Sequence, residues 1–176
     1  PDDKPVVFYG SSITQGACAS HPGNAYTNIL SRRLDADHIN LGFSGSARAE
    51  KEMADYIGNL DMHAFVYDYD YNADTAEYLE KTHEQFFKWF RQYHPNTPVI
   101  MVSAANMVGS SPEITAQRRQ IIRTTYENAR AAGDENVYFI DGTDMFRGPM
   151  RDLCTVDALH PNDLGQYIMA RAVYKT

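Results

Sequence analysis

The sequence has few of the features that mark membrane proteins, disulfide scaffolds or nucleic-acid-binding proteins. Its longest apolar runs, such as residues 98–102, are far shorter than the ~20 residues of a membrane-spanning helix. Its two cysteines cannot build a disulfide-rich scaffold or, by themselves, a four-thiolate zinc site. A net charge of −7 without a basic run argues against nucleic acid or an anionic membrane as a partner. With 43% hydrophobic and 22% charged residues, we expect residues 1–176 to form a single globular domain.

The start of the chain bears on its cellular location. The first residue is Pro1, and no signal-peptide pattern of basic, apolar and small residues follows it. We expect either a removed leader or a domain cut from a longer chain. A disulfide between Cys18 and Cys154 would point to a secreted or periplasmic setting, and two buried free thiols are the alternative.

Five short apolar runs alternate with helical patterns along the chain. Strands are predicted at residues 5–9, 38–41, 64–69, 98–103 and 137–140. Helices are predicted at about 24–34, 48–60, 74–93, 113–132 and 162–174. Because parallel strands need crossover connections, this alternation predicts an α/β fold with three layers (α/β/α) and a five-stranded parallel sheet. Such folds bind ligands at the carboxyl ends of the strands, so we expect the site residues in the loops that follow the strands.

The first strand runs into a loop of glycine and small hydroxyl residues, Gly10-Ser11-Ser12. Such a loop can hold a phosphate with its N–H groups and hydroxyls, as the first loop of flavodoxin-like proteins does. It can also present a serine nucleophile at the start of a helix, where the dipole favours negative charge. A plain turn with a helix cap fits the same residues, so this loop leaves three interpretations open.

A second signal lies near the end of the chain, where Asp157 and His160 precede the last predicted helix. This spacing can place the carboxylate against one imidazole nitrogen and leave the other nitrogen free to act as a base. The remaining histidines are assigned structural or solvated roles: His21, His38, His63, His83 and His94. A serine hydrolase needs an Asp–His pair, whereas a phosphate-binding loop does not, so the pair favours Ser12 as a nucleophile.

Two further loops after strands offer hydrogen-bond donors for an oxyanion. Gly45 follows the second strand, and its lack of a side chain lets the backbone N–H approach a substrate closely. Asn72 follows the third strand and can donate from its side-chain amide. With the Ser12 N–H these make three donors, each typically worth ~10²–10³ in rate. Turn and capping roles are the alternatives for each residue alone, but their joint occurrence favours an oxyanion hole.

Four segments, in order, resemble the four blocks of the SGNH hydrolase superfamily, also called GDSL esterases or lipases: Gly10-Ser11-Ser12-Ile13, Gly45, Asn72 and Asp157-x-x-His160. The resemblance implies a flavodoxin-like α/β/α fold, with Ser12 as nucleophile, His160 as general base and Asp157 as its orienting partner. It also implies an oxyanion hole formed by the Ser12 and Gly45 N–H groups and the Asn72 side chain. The chain looks closest to a bacterial GDSL-like branch that often carries a separate β-rich domain.

Two of the blocks depart from the family pattern. The first reads Gly-Ser-Ser-Ile rather than Gly-Asp-Ser-Leu, so Ser11 stands where an acidic residue is usual. The third keeps Asn72 but lacks both the Gly and the second Asp of Gly-x-Asn-Asp. Since the nucleophile and the donor are retained, the departures concern how these groups are positioned.

The sequence therefore predicts a serine esterase that works through an acyl-enzyme without a metal or an organic cofactor. Aromatic and acidic residues after the third strand favour a saccharide ester as substrate, with a short acyl group such as acetyl. The alternative is that the tyrosines pack in the sheet and the aspartates form a solvated rim. Alternatives are a lysophospholipase or arylesterase of the same superfamily and, in a different class, a non-catalytic flavodoxin-like binding domain. Six further residues are expected to contact the substrate, with a surface salt bridge as the alternative for the arginine: Ser11, Arg48, Asp70, Tyr71, Asn106 and Met107.

Overall fold

A five-stranded parallel sheet forms the centre of the molecule. The structure, a computed structural model, describes residues 2–106, 109 and 111–176. The strands are β1 Asp2–Gly10, β2 Ala36–Gly42, β3 Ala64–Asp68, β4 Val99–Val102 and β5 Val137–Ile140. Their order across the sheet is β2-β1-β3-β4-β5, and every pair is parallel. This order is that of the flavodoxin-like doubly wound sheet, so the predicted α/β fold is confirmed.

Helices cover both faces of the sheet. They are α1 Ser12–Gln15, α2 Tyr26–Leu34, α3 Lys51–Gly58, α4 Ala76–Tyr93, α5 Pro112–Ala131 and α6 Asp163–Tyr174. The described residues also form four 3₁₀ turns: Pro22–Asn24, Asp70–Asn72, Gly142–Asp144 and Gly148–Leu153. None of the helices within the described ranges combines the length and the apolar character needed to cross a lipid bilayer.

Side-chain alternation along β1 separates the core into two halves. Val7 and Tyr9 point to the face covered by α3, α4 and α5, whereas Val6 and Phe8 point to the face covered by α2 and α6. All four side chains are buried. Because both faces of the strand are covered, residues 6–9 are all apolar instead of alternating between apolar and polar. The result is the three-layer arrangement expected from the sequence.

Helix starts follow the capping residues in the sequence. Thr75 caps α4 by accepting a hydrogen bond from the Tyr78 N–H at 3.1 Å, and Asn162 caps α6 through the Gly165 N–H at 3.2 Å. Proline at position 112 opens α5, where its missing N–H costs nothing. These caps fix where the loops at the carboxyl edge of the sheet end and the covering helices begin.

Candidate active site

The register of the three central strands brings the predicted site residues to one edge of the sheet. Gly10 of β1 pairs with Gly42 of β2 on one side and with Asp68 of β3 on the other. The three strands therefore end side by side. Ser12 comes two residues after Gly10, the last residue of β1, and Gly45 comes three residues after Gly42, the last residue of β2.

Two glycines allow α1 to sit directly on the strand ends. A Cβ atom at Gly10 would lie 2.3 Å from the Asp68 carbonyl oxygen, and one at Gly42 would lie 2.2 Å from the Gln15 backbone nitrogen. Both distances are far below van der Waals contact, and both involve backbone atoms that cannot swing aside. Any other residue at these positions would push α1, and with it Ser12, away from the sheet.

Ser12 is the first residue of α1, and Ser11 is its N-cap. The Ser11 hydroxyl accepts a hydrogen bond from the Ile13 N–H at 3.1 Å, and the residue is fully buried. The Ser11 side chain, which the sequence offers as a substrate contact, thus holds the turn in the structure. As the first helical residue, Ser12 keeps an N–H that no carbonyl of the helix can accept, so this group is free to serve as a donor.

A continuous hydrogen-bonded chain joins Ser12, His160 and Asp157. The Ser12 Oγ lies 3.0 Å from the His160 Nε2, and the His160 Nδ1 lies 2.6 Å from the Asp157 Oδ2. A carboxylate against Nδ1 favours the tautomer that carries its proton there, which leaves the Nε2 lone pair to accept the Ser12 hydroxyl proton. The fold thus brings Ser12 to His160, 148 residues later in the sequence, and to the neighbouring Asp157.

Asp157 is held by the backbone of its own loop as well as by the imidazole. Its Oδ1 accepts hydrogen bonds from the His160 N–H at 2.6 Å and the Leu159 N–H at 3.0 Å. The pKa of Asp157 lies well below its usual range. The main cause is the hydrogen bond from the His160 backbone N–H, and the second is the hydrogen bond from the His160 ring. The carboxylate is thus ionised at neutral pH and oriented on both sides.

The loop that carries His160 is fastened to the loop that carries Ser12. Asp163, at the start of α6, accepts from the Ser20 N–H at 2.8 Å and the Ser20 hydroxyl at 2.6 Å. One turn later, Gln166 accepts from the Tyr26 N–H at 2.9 Å. Sequence reasoning missed these ties, because Ser20 and Asp163 are 143 residues apart and neither belongs to a recognisable motif.

Asn72 is oriented by the loop after β2. Its Oδ1 accepts a hydrogen bond from the Ala47 N–H at 3.2 Å, and since an N–H group can only donate, the amide orientation is fixed. The Nδ2 group is then turned away from Ala47 and can donate to another acceptor. Gly45 has a left-handed backbone with φ of 67° and open space around its Cα, so its environment leaves room for a ligand.

Asp70 and Tyr71 hold the loop that follows β4. Asp70 is fully buried, and its Oδ2 accepts from the Ala104 N–H at 3.0 Å, while the Tyr71 hydroxyl accepts from the Ala105 N–H at 2.7 Å. Burial raises the pKa of Asp70 to about 6, although the Ala104 hydrogen bond opposes this change. Both residues also line a cavity of about 190 Å³, together with Ala104, Ser111, Ile114, Thr115, Arg118 and Leu159.

Two of the residues that line this cavity are neighbours of predicted site residues in the sequence: Leu159 precedes His160, and Tyr71 precedes Asn72. The neighbouring tyrosines Tyr67 and Tyr69 are buried in the core instead. Of the other expected substrate contacts, Asn106 accepts a hydrogen bond through its carbonyl from the Arg151 Nε at 3.0 Å, and Met107 lies outside the described residues.

Asp68 forms a second buried carboxyl group beneath the site, which the sequence did not single out. Its Oδ2 accepts hydrogen bonds from the Thr14 hydroxyl and the Tyr26 hydroxyl, each at 3.0 Å. Burial, reinforced by the charge of Asp70, raises the pKa of Asp68 to about 8. This group is therefore largely protonated at neutral pH and links α1 to β3 and α2.

The two cysteines do not form a disulfide: Cys18 is exposed and Cys154 is buried, both as free thiols. Among the residues that the structure describes, no group of three or more His, Cys, Asp or Glu side chains is placed to hold a metal ion. Arg48 makes the ion pair that the sequence offered as its alternative role, with Asp74.

The family model of the GDSL-like lipases/acylhydrolases matches residues 3–176. The chain belongs to this family. The resemblance seen in the sequence is thereby confirmed, and the GDSL-like family supports carboxylic ester hydrolysis as the class of enzyme. None of the curated proteins compared with the chain matches it.

Solved structures share the fold over almost the whole GDSL-like chain. A GDSL-like lipase from Bacteroides ovatus is 34% identical, with a TM-score of 0.87, and the match covers 97% of this chain and 51% of that one. The salicylyl-acyltransferase SsfX3 from a tetracycline biosynthetic pathway is 23% identical, with a TM-score of 0.83 and coverages of 98% and 53%. A two-domain esterase active on acetylated mannans is 22% identical, with a TM-score of 0.69 and coverages of 98% and 48%. The chain thus spans about half the length of each of these proteins.

Proposed function

We propose that this GDSL-like domain is a serine esterase with Ser12 as nucleophile, His160 as general base and Asp157 as the group that orients the imidazole. The observation that carries the proposal is the unbroken chain of hydrogen bonds from the Ser12 hydroxyl through both imidazole nitrogens to the Asp157 carboxylate. The Ser12 N–H, the Gly45 N–H and the Asn72 Nδ2 are the proposed oxyanion donors, since they follow three adjacent strand ends and face one edge of the sheet.

The reaction follows from these groups. The Ser12 Oγ attacks the ester carbonyl carbon while the His160 Nε2 takes its proton, and the three donors stabilise the negative charge on the carbonyl oxygen. The tetrahedral intermediate collapses, and the imidazolium returns the proton to the departing alcohol. His160 then takes a proton from water, which attacks the acyl-Ser12 ester, and the carboxylic acid leaves as the serine hydroxyl is restored. Asp157 stabilises the imidazolium in both halves of the reaction.

The proposed substrate is a short-acyl, above all acetyl, ester of a carbohydrate. The cavity lined by Tyr71 and Leu159 measures about 190 Å³, below the 300–1,000 Å³ typical of pockets for drug-sized ligands. If it receives the acyl group, its size suits a small group better than a long chain. Its lining mixes the polar side chains of Asp70, Tyr71 and Arg118 with the apolar Ile114 and Leu159. The fold is shared with an esterase active on acetylated mannans, which agrees with this choice.

A flavodoxin-like binding role has less support. Such a role would use the hydroxyl groups of the Gly10-Ser11-Ser12 loop to hold a phosphate. Here the Ser11 hydroxyl caps α1 and the Ser12 hydroxyl bonds to His160, so both are already committed to protein partners.

One experiment tests enzyme and substrate class together. The wild-type protein and the Ser12→Ala variant are assayed with acetylated oligosaccharides, with 4-nitrophenyl esters of increasing acyl length and with a lysophospholipid. We expect wild-type activity to be highest on the acetyl esters, and Ser12→Ala to lose at least about 10⁴-fold in kcat, because the nucleophile is gone. An alkyl phosphonate probe should label Ser12 in the wild type, as peptide mass mapping can verify.

The matched control is Ser44→Ala, which removes an exposed hydroxyl from the loop just before Gly45. It should keep both the labelling and the turnover. Turnover by Ser12→Ala equal to that of the wild type would refute the proposed nucleophile. A preference for the lysophospholipid or for long acyl chains would instead replace the carbohydrate ester with the lysophospholipase alternative.

A further inference from the structure

The turn that carries Asn72 is held by two arginines from different parts of the chain. Arg118 of α5 donates from its two Nη atoms to the carbonyls of Asp70 and Ala73, each at 2.7 Å. Arg48, in the loop after β2, donates from Nη1 to the carbonyl of Asn72 itself at 3.0 Å. Three of the four carbonyls in residues 70–73 are therefore bonded to a guanidinium group.

Arg48 also connects this turn to the loop that carries Gly45. Its Nη2 donates to the Gly45 carbonyl at 3.4 Å, and its guanidinium pairs with the carboxylate of Asp74. The backbone of Arg48 is fixed in turn, because its carbonyl accepts a hydrogen bond from the Tyr78 hydroxyl of α4 at 2.9 Å. One side chain thus touches the main chain of both loops that supply proposed oxyanion donors.

A guanidinium suits this task for a physical reason. It is planar, always charged, and has five N–H donors in a fixed fork, so it can bind two or three acceptors at set positions. Charged donors also make stronger hydrogen bonds to carbonyls than neutral donors do. An apolar side chain of similar length would fill the space but remove these charged donors, and the turn would be free to shift.

We propose that Arg48 and Arg118 are positioning residues that hold the turn of residues 70–73, and with it the Asn72 amide, where an oxyanion requires a donor. The inference rests on the proposed function, since it assigns these arginines a role in the same reaction. Arg118 also lines the cavity of about 190 Å³, but the role assigned to both guanidinium groups is to hold the turn. Both act through the backbone of the turn, so their effect depends on the presence of the Asn72 side chain.

Arg91 provides a matched control at the opposite end of the sheet. It pairs with Asp134 at 2.7 Å and donates to the carbonyls of His94, Thr97 and Asn136 at 2.6–3.0 Å. These residues precede β4 and β5 rather than follow them. Arg91 therefore fastens loops by the same chemistry as Arg48 but away from the proposed site.

The test is a double-mutant cycle with 4-nitrophenyl acetate. Arg48→Met and Arg118→Met are made separately in the wild type and in Asn72→Ala, and Arg91→Met is made in the wild type. We expect each of the first two to lower kcat by about 10- to 100-fold with KM changed less than about 3-fold, since misplacing a donor harms the transition state. In Asn72→Ala the same changes should cost less than about 3-fold more, because the donor they position is already absent. Arg91→Met should lower the melting temperature and leave kcat within about 2-fold.

The outcomes separate the inference from the proposed function. If the wild type turns over substrate but Arg48→Met and Arg118→Met keep its kcat, the positioning role is overturned. Equal losses in the wild type and in Asn72→Ala overturn it too, because they show an effect independent of Asn72. If the wild type itself is no more active than Ser12→Ala, the proposed function fails and takes the inference with it. Arg118, which comes from another element, keeps the test decisive if Arg48→Met does not fold.

Discussion

The two carboxylate oxygens of Asp157 have different partners. Oδ1 accepts from two backbone N–H groups of its own loop, and Oδ2 accepts from the imidazole of His160. The first set fixes where the carboxylate stands, and the second fixes which imidazole nitrogen carries the proton. A substitution that keeps the first function and removes the second can therefore separate structure from chemistry.

Asp157→Asn is such a substitution. The asparagine Oδ1 can still accept from the backbone of Leu159 and His160, so the loop should keep its shape. Its Nδ2 would face the His160 Nδ1 with N–H groups, which drives the imidazole proton to Nε2 and removes the base. We expect kcat on an acetyl ester to fall by about 10³- to 10⁴-fold with an unchanged circular dichroism spectrum. Asp152→Asn, an exposed carboxyl in the preceding turn, should keep full activity; a loss below tenfold in Asp157→Asn would contradict the assigned role.

Residues with a chemical signature were predictable, and those acting through the main chain were not. Asp157 and His160 are close in the sequence, and Ser12 follows a glycine at a strand end, so their pattern is visible. The hydrogen bond from Arg48 to the Asn72 carbonyl has no signature in the sequence, because every residue has a backbone carbonyl and any of them can accept such a bond. The burial of Asp70 was missed because a carboxylate after a strand normally predicts a solvated rim, whereas here the loop after β4 covers it.

At the scale of elements, long periodic segments were easier to predict than short ones. The five predicted strands and five predicted helices all occur, with boundaries shifted by up to a few residues. The four-residue helix α1 was not predicted with its bounds, since one turn is too short to show a helical period. The 3₁₀ turn Asp70–Asn72 was missed for the same reason, and its shape depends on partners distant in the sequence.

Helix α1 packs against the end of β2 so closely that Gly42 leaves no room for a side chain. Substitution of Gly42 by alanine would place a Cβ 2.2 Å from the Gln15 backbone nitrogen, so α1 must move or the end of β2 must bend. We expect Gly42→Ala to destabilise the protein by about 1–3 kcal/mol and to lower kcat by at least about tenfold, because Ser12 moves with α1. Thermal denaturation and turnover of 4-nitrophenyl acetate measure the two effects.

Gly23→Ala is the matched control for Gly42→Ala. The Cβ there would meet the His21 ring at 3.2 Å and the Arg32 Nη1 at 3.5 Å, and both side chains can rotate away. The control should change neither stability nor kcat by much. If Gly42→Ala behaved like Gly23→Ala, the tight packing of α1 on β2 would have no functional role.

At the scale of the whole molecule, ionisable groups buried in the core set how stability depends on pH. Asp68, Asp70 and His83 are fully buried, although the formal net charge of −7 counts both aspartates as ionised. Burial lowers the pKa of His83 to about 3, so its neutral form is favoured in the fold. It raises the pKa of Asp68 and of Asp70, so the two kinds of group respond to pH with opposite signs.

Asp68→Asn tests this account. In the fold the pKa of Asp68 is about 8, against about 3.9 in an unfolded chain. Between these values the native state holds a proton that the unfolded state has released, so the free energy of unfolding falls as pH rises from about 4 to about 8. Asparagine mimics the protonated acid and can still accept from Thr14 and Tyr26. We therefore expect Asp68→Asn to gain stability relative to the wild type by roughly 1 kcal/mol per pH unit across this window.

Urea denaturation at several pH values measures this difference in the free energy of unfolding. Asp61→Asn, which changes an exposed carboxyl, is the control. A pH-independent difference between Asp68→Asn and the wild type would show that Asp68 ionises as readily in the fold as outside it.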